Sequence, residues 1–139
     1  VSKEGEFSRL VGEHDGYKRL ADSVVHRREI EWDSESVFLI RDSVVATEAH
    51  NYSLAFHFSE QCKVEREGMN FIVRNGPVRV CLSPPAGWDA RIVKGQEDPP
   101  LGWRATRFMV RHPSPVLLLQ CSAEGDWESL SKFEITHLS

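Results

Sequence analysis

What this 139-residue chain lacks most plainly is helical periodicity. Nowhere do its apolar residues hold i, i+3, i+4, i+7 spacing for three turns, so helices are expected to be short or absent. No apolar run approaches the roughly 20 residues of a membrane span. The opening VSKEGEFSRL has neither the apolar core nor the cleavage pattern of a signal peptide, and the chain is expected to begin inside a larger protein. Cysteine is scarce: Cys62, Cys81 and Cys121 lie far apart with no CxxC or other metal spacing, the pattern of free thiols within apolar strands. Basic charge is not in excess either, because 17 Lys and Arg face 21 Asp and Glu for a net charge of −4. A general polyanion binder is disfavoured, and nucleic acid is not an expected partner. Composition is otherwise ordinary, at 40% hydrophobic and 27% charged, which excludes a disordered or collagen-like chain.

What the sequence does hold is alternation. From Asn51 to Ser59, Tyr52, Leu54, Phe56 and Phe58 alternate with smaller or polar residues, the pattern of a half-buried strand. Val24–Trp32 and Val37–Val45 are rich in β-branched and aromatic residues, and Asp33-Ser34-Glu35 between them supplies turn chemistry for a hairpin. Met69–Arg74 and Pro77–Ser83 flank Asn75-Gly76, a strong signal for a type I′ hairpin turn, and Cys62–Glu67 reads as a strand before them. Two Pro- and Gly-containing breaks, at 84–87 and 99–102, enclose a short segment Trp88–Val93. Trp103–Arg111, Val116–Ser122 and Leu130–Leu138 complete the set. About eight or nine strands with polar connections predict an all-β antiparallel β-sandwich with few or no helices, in one domain over residues 1–139. A barrel is the main rival, and no internal repeat points to a propeller or solenoid. Val116-Leu117-Leu118-Leu119 is apolar on both faces, which fits a central strand covered on two sides, or a surface that covers a partner domain.

An ordered series of signals then carries a resemblance. Glu13-His14-Asp15-Gly16-Tyr17 is followed by Val24-Val25-His26-Arg27-Arg28, then Ile40-Arg41-Asp42, then the histidine-bearing strand from His50 to Phe58. Gly102-Trp103-Arg104-Ala105-Thr106-Arg107-Phe108 comes later. Over about residues 7 to 133 this series resembles the C-terminal sheet domain of bacterial heparinase II/III-like polysaccharide lyases. The family pattern reads H-D-G-Y, H-R-R, a strand ending in R-D, a strand ending in H-F, and a late G-W-x-S-x-x-F/Y segment. The helical toroid of such lyases, and the upstream strands that carry an H-N-T-like segment and a cleft-facing histidine, have no counterpart here.

The resemblance implies β-elimination on uronate-containing polysaccharide by the full-length protein. The carboxylate is neutralised, the C5 proton removed and the O4 leaving group protonated, which calls for cationic or amide groups and a tuned Tyr or His. Most of these groups come from the toroid in the family, so no catalytic residue is assigned to this chain and it is not expected to be active alone. The resemblance also implies an acidic polysaccharide and an N-terminal α-toroid as partners, no cofactor, no membrane partner, and a periplasmic or secreted location. A stand-alone carbohydrate-binding or protein-interaction sandwich is the alternative.

Candidate substrate-binding residues are His14, Tyr17, Arg27 and Arg28. Asp15-Gly16 suggests a turn that projects His14 and Tyr17 together, although a cap at Asp15 with Tyr17 packed at the core edge accounts for the same residues. Along one strand His26 and Arg28 share a face and Arg27 points the other way. Guanidinium suits carboxylate or sulfate, and a cross-strand ion pair with Glu29, Glu31 or Asp42 is the plainer use of these arginines. His50 and His57, on opposite faces and about 23 Å apart at strand spacing, cannot share a metal. Some relatives hold a structural zinc, but no His/Asp/Glu cluster here has ligand spacing, and no metal is expected. Arg91, Lys94, Arg104, Arg107 and Arg111 with Trp88 and Trp103 suit an acidic sugar chain, or an ordinary solvated sheet face over two core tryptophans.

Overall fold

The computed structural model describes residues 2–4, 7–14, 24–33 and 35–137. Every regular element among them is a strand. In chain order these are β1 (Ser2–Glu4), β2 (Phe7–His14), β3 (Val25–Trp32), β4 (Val37–Val45), β5 (Ala49–His57), β6 (Lys63–Glu67) and β7 (Asn70–Asn75). Beyond these lie β8 (Val78–Ser83), β9 (Asp89–Lys94), β10 (Trp103–Arg107), β11 (Val110–Pro113), β12 (Pro115–Glu124) and β13 (Trp127–His137).

All pairings are antiparallel. An eight-stranded sheet runs β1-β2-β3-β4-β13-β8-β7-β6, a three-stranded sheet runs β5-β12-β9, and β10 and β11 form a separate hairpin. The large sheet is two meanders joined by the last strand. Phe133 of β13 sits opposite Phe38 of β4 on one side and Leu82 of β8 on the other. The two main sheets face each other through a core of Leu54, Phe56, Leu117 and Leu119 from the small sheet against Phe71 and Leu82 from the large one. Phe56 meets Phe133 edge-on at 5.2 Å across the gap. This is the two-layer all-β architecture expected, with thirteen strands among the described residues where about eight or nine were read from the sequence.

Three differences have physical causes. β1 and β2 carry charged residues without clean alternation, so they give little periodic signal. The segment read as one strand from Trp103 to Arg111 is two, because the chain turns at Phe108-Met109, residues with no turn chemistry. The hairpin at Asn75-Gly76 exists, but Asn75 pairs with Val78 and the turn residues are Gly76-Pro77. Pro77 fixes its own φ negative, so only Gly76 takes a positive φ, of 57°, the pattern of a type II′ turn. As a central strand covered on two sides requires, Val116, Leu117, Leu118 and Leu119 are all buried within the described chain, on the central strand of the small sheet. They are therefore not a surface left for a partner.

The three cysteines are free thiols and half-buried, and burial raises the Cys121 pKa. The β3–β4 turn is built on Asp33, whose Oδ1 accepts hydrogen bonds from the backbone N–H groups of Glu35, Ser36 and Val37 at 3.0, 2.7 and 2.9 Å. Those donors, Val37 foremost, hold the carboxyl below its ordinary pKa. Because folding lowers this pKa, the stabilisation is present above the ordinary carboxylate range and is lost as pH falls through the lowered value. Asp33→Ala is expected to be less stable than the native chain in neutral denaturant titrations, with the gap closing as pH drops below 4 or so. A gap that stays constant into strong acid would contradict this account of the turn.

Candidate functional site

Strand β3 places its side chains on two faces with opposite characters. His26, Arg28 and Ile30 point toward the small sheet: His26 shares a cleft with Tyr52 and Leu54, Arg28 lies over the Phe56 ring at 5.9 Å, and Ile30 shares a groove with Phe58. The outer face is an ion-paired ladder. Glu29 is held between Arg9 and Arg41, and Arg41 also reaches Glu128 at 2.9 Å and Glu31 at 3.5 Å. Such a face stabilises modestly and needs no ligand.

The inner face carries the unusual chemistry. Asp42 of β4 is 0% exposed, at a position flanked by the apolar Ile40 and Val44. Arg28 lies directly opposite in the ladder and donates Nε–H to Asp42 Oδ1 at 2.7 Å and Nη2–H to Oδ2 at 3.2 Å. His26 donates Nε2–H to the same Oδ1 at 2.7 Å. A carboxylate buried without such donors is costly, and one partner removed from a buried set of this kind typically costs about 3–5 kcal/mol. Its Nε2 engaged, His26 keeps Nδ1 as its remaining ring nitrogen.

Beside this cluster a cleft of about 360 Å³ opens at one end of the sandwich, lined by His26, Val44, His50, Tyr52 and Trp127 among others. Tyr52 and Trp127 meet edge-on at 5.0 Å, and Trp127 meets Trp88 in the same way at 5.3 Å. Tyr52 Oη and Trp127 Nε1 are buried with no hydrogen-bond partner. So are the Oγ atoms of Ser129 and Ser131, and Ser129 is the ladder neighbour of Asp42 on the side away from Arg28. Buried polar atoms normally have partners, and of these four residues Tyr52 and Trp127 line the cleft, which marks it as a place suited to water or to the hydroxyls of a ligand. Among the described residues no group of three or more His, Cys, Asp or Glu could hold a metal ion. At Asp42 the positive charge is supplied by Arg28.

The four residues singled out in the sequence fall in different places. His14 ends β2 with its backbone opposite His26, and its side chain lies outside the described residues. Tyr17 lies outside them altogether. Arg27 is exposed on the outer face, where it makes no ion pair among the described residues. Arg28 is committed to Asp42, and the cross-strand pair is buried rather than superficial. Trp88 belongs to the aromatic cluster, not to a basic surface with Trp103. The sequence reading named Asp42 as one of three possible partners for the arginines, and missed its burial and the nearby Tyr52 and Trp127. A single acid at an inward position of an apolar strand was the available signal.

Tyr52→Phe removes a buried hydroxyl that satisfies no donor or acceptor, so it is expected to leave stability unchanged or raised in denaturant unfolding. A loss of more than about 1 kcal/mol would mean that the hydroxyl has a partner within the fold.

Comparison with known proteins then bears on this geometry. Residues 1–127 match the family model described as Heparinase II/III-like, C-terminal. Among solved structures, the chain is similar to a heparinase III, the BT4657 gene product, with a TM-score of 0.77 and 17% identity over 98% of this chain and 20% of that one. It is also similar to the heparan sulfate lyase HepC from Pedobacter heparinus, with a TM-score of 0.75 and 9% identity over 97% of this chain and 21% of that one. A further heparinase III structure gives a TM-score of 0.73 and 12% identity over 99% of this chain and 20% of that one. At such identities the likeness is one of fold, and this chain spans about a fifth of the length of the structures it matches. No curated protein sequence matches it. With the family model matched over nearly the whole length and the same strand architecture in the solved structures, the chain belongs to the heparinase II/III-like C-terminal family.

Proposed function

We propose that this chain is the terminal sheet domain of a lyase that cleaves uronate-containing polysaccharide by β-elimination, where it supports a helical toroid and walls the substrate cleft. The observation that carries the reading is the family match over residues 1–127 in a chain only a fifth as long as the lyase structures it resembles. The surface supports it as well. An apolar groove of about 510 Å³ lies open along the large sheet beside the segment that follows β5, lined by Ile30, Phe38, Ile40, Phe58, Val80 and Phe133 among others. A stand-alone binding module would leave that groove to water, whereas a larger lyase has polypeptide with which to fill it. The whole of residues 1–139 then acts as one structural unit of the longer enzyme, working in the periplasm or outside the cell, where acidic polysaccharides are met.

In this reading the wall is formed where the end of β2 lies beside the start of β3. His14 and Tyr17 contact the sugar, Arg27 attracts its carboxylate from the outer face, and Arg28 acts indirectly. By holding Asp42, Arg28 fixes the carboxylate that in turn orients His26 toward the cleft. Groups that abstract the C5 proton and protonate O4 lie in the remaining four fifths of the enzyme, so the domain contributes positioning and charge rather than a complete site.

The test is incubation of the full-length protein with heparan, alginate and other uronate polymers, following the unsaturated product by its ultraviolet absorbance. The product is expected with at least one polymer, and its absence with all of them from folded protein would overturn the reading. His14→Ala and Tyr17→Phe are each expected to lower kcat/KM at least about tenfold. Unchanged kcat/KM in both variants would remove these residues from the wall.

A further inference from the structure

The β10–β11 hairpin has no role in the cleft, yet it carries the most exposed apolar side chains of the described residues. Phe108 is 92% and Met109 89% exposed, at the tip. Met109 adopts a φ of 59°, the left-handed region that favours glycine or asparagine, so an apolar side chain stands where turn chemistry would place neither bulk nor branching. Within the hairpin segment itself the charge is of one sign. Residues 103–113 hold Arg104, Arg107, Arg111 and His112 and no acidic residue, in a chain whose net charge is −4.

These cations differ in availability. Arg104 is held by Glu60 at 2.7 Å, and the Glu60 carboxyl is lowered in pKa by its own backbone N–H first and by Arg104 second. Arg107 makes no ion pair among the described residues. The Arg111 guanidinium lies 4.0 Å over the Trp103 ring, which fixes its plane and leaves its N–H edges for a planar anion. The exposed Glu97 approaches it only to 4.0 Å.

The base of the hairpin is fixed, so the tip is presented rather than collapsed. The Gly102 carbonyl accepts from the backbone N–H groups of Gly95 at 2.9 Å and Ser114 at 2.8 Å, and Trp103 donates Nε1–H to the Gln96 carbonyl at 2.7 Å. The approach is close enough that a Cβ on Gly102 would lie 2.8 Å from the Gly95 nitrogen.

We infer that this hairpin is a second contact surface for an anionic sugar chain, remote from the cleft, at which Phe108 stacks on a sugar ring while Arg107 and Arg111 bind its carboxylate or sulfate groups. The class of ligand rests on the proposed function; the surface itself does not. A sugar ring offers an apolar C–H face bordered by anionic substituents, which matches an aromatic side chain carried on the same hairpin as two guanidinium groups. A lipid surface would call for a wider apolar face than a single two-residue tip.

The experiment compares full-length wild type with Phe108→Ala combined with Arg107→Gln, and with Met109→Gly, which removes an apolar side chain while relaxing the backbone. Retention on the immobilised polymer that the enzyme cleaves is expected to fail at lower salt for both variants. KM for the long polymer is expected to rise about tenfold for the double variant, with kcat and the tetrasaccharide KM unchanged. Unchanged retention and polymer KM in both variants would overturn the inference. So would equal losses on polymer and tetrasaccharide with a lowered melting temperature, which would place the tip against the rest of the enzyme. Loss of binding to anionic lipid vesicles with the polymer KM intact would overturn it in favour of a membrane. If no polymer yields unsaturated product, the proposed function fails, while retention on immobilised heparan and alginate still reads the hairpin separately.

Discussion

A single carboxylate with no access to solvent sets the terms for one half of this fold. Asp42 lies on a face otherwise made of Ile40 and Val44, and its charge is met by Arg28 across the ladder and by His26 two residues before it. A slip of one residue between β3 and β4 would turn Asp42 to solvent and carry Ser43 inward, while Arg28 lost its partner. Buried ionic pairs are weak sources of net stability but effective selectors of register, and this one selects the register that also aims His26 at the cleft. The same guanidinium lies over Phe56, so the pair also ties the large sheet to the small one. Packing of Phe56 on Phe133 and of Leu117 and Leu119 beneath supplies the apolar burial that the charged cluster cannot.

Much of the strand inventory was legible because period-2 alternation is a local property. Leu54 and Phe56 are buried as their alternation requires, and Val37–Val45 is a strand with the boundaries read from its β-branched run. Turns were less legible where two residues competed. Asn75-Gly76 is a familiar pair, but Pro77 moved the turn by one position, and Phe108-Met109 turns without any residue that announces it. Pairing order was not legible at all. That β13 lies between β4 and β8 depends on side chains more than forty residues apart in sequence, for which no local pattern exists.

The site divides in the same way. Opposite facing of Arg27 and Arg28 follows from strand geometry and is what the structure has. What the arginines do does not follow from it: Arg28 is consumed by a buried acid, whereas Arg27 stays in solvent. Tyr52 and Trp127 come together from β5 and β13, strands of different sheets, and only the folded chain shows that their polar atoms lie unpartnered beside His26. The chain, which spans about a fifth of the length of the lyase structures it matches, presents an open apolar groove, a cleft of mixed character and a basic hairpin on its surface.

The claim on which this account rests is that Asp42 and Arg28 act as one buried unit. The most direct measurement is a double-mutant cycle with Asp42→Asn, Arg28→Gln and the combined variant, each followed by denaturant unfolding. The account predicts that each single change costs about 3 kcal/mol or more and that the double change costs far less than their sum, a coupling of at least about 2 kcal/mol. Additive losses, or single changes within about 0.5 kcal/mol of the native chain, would contradict it.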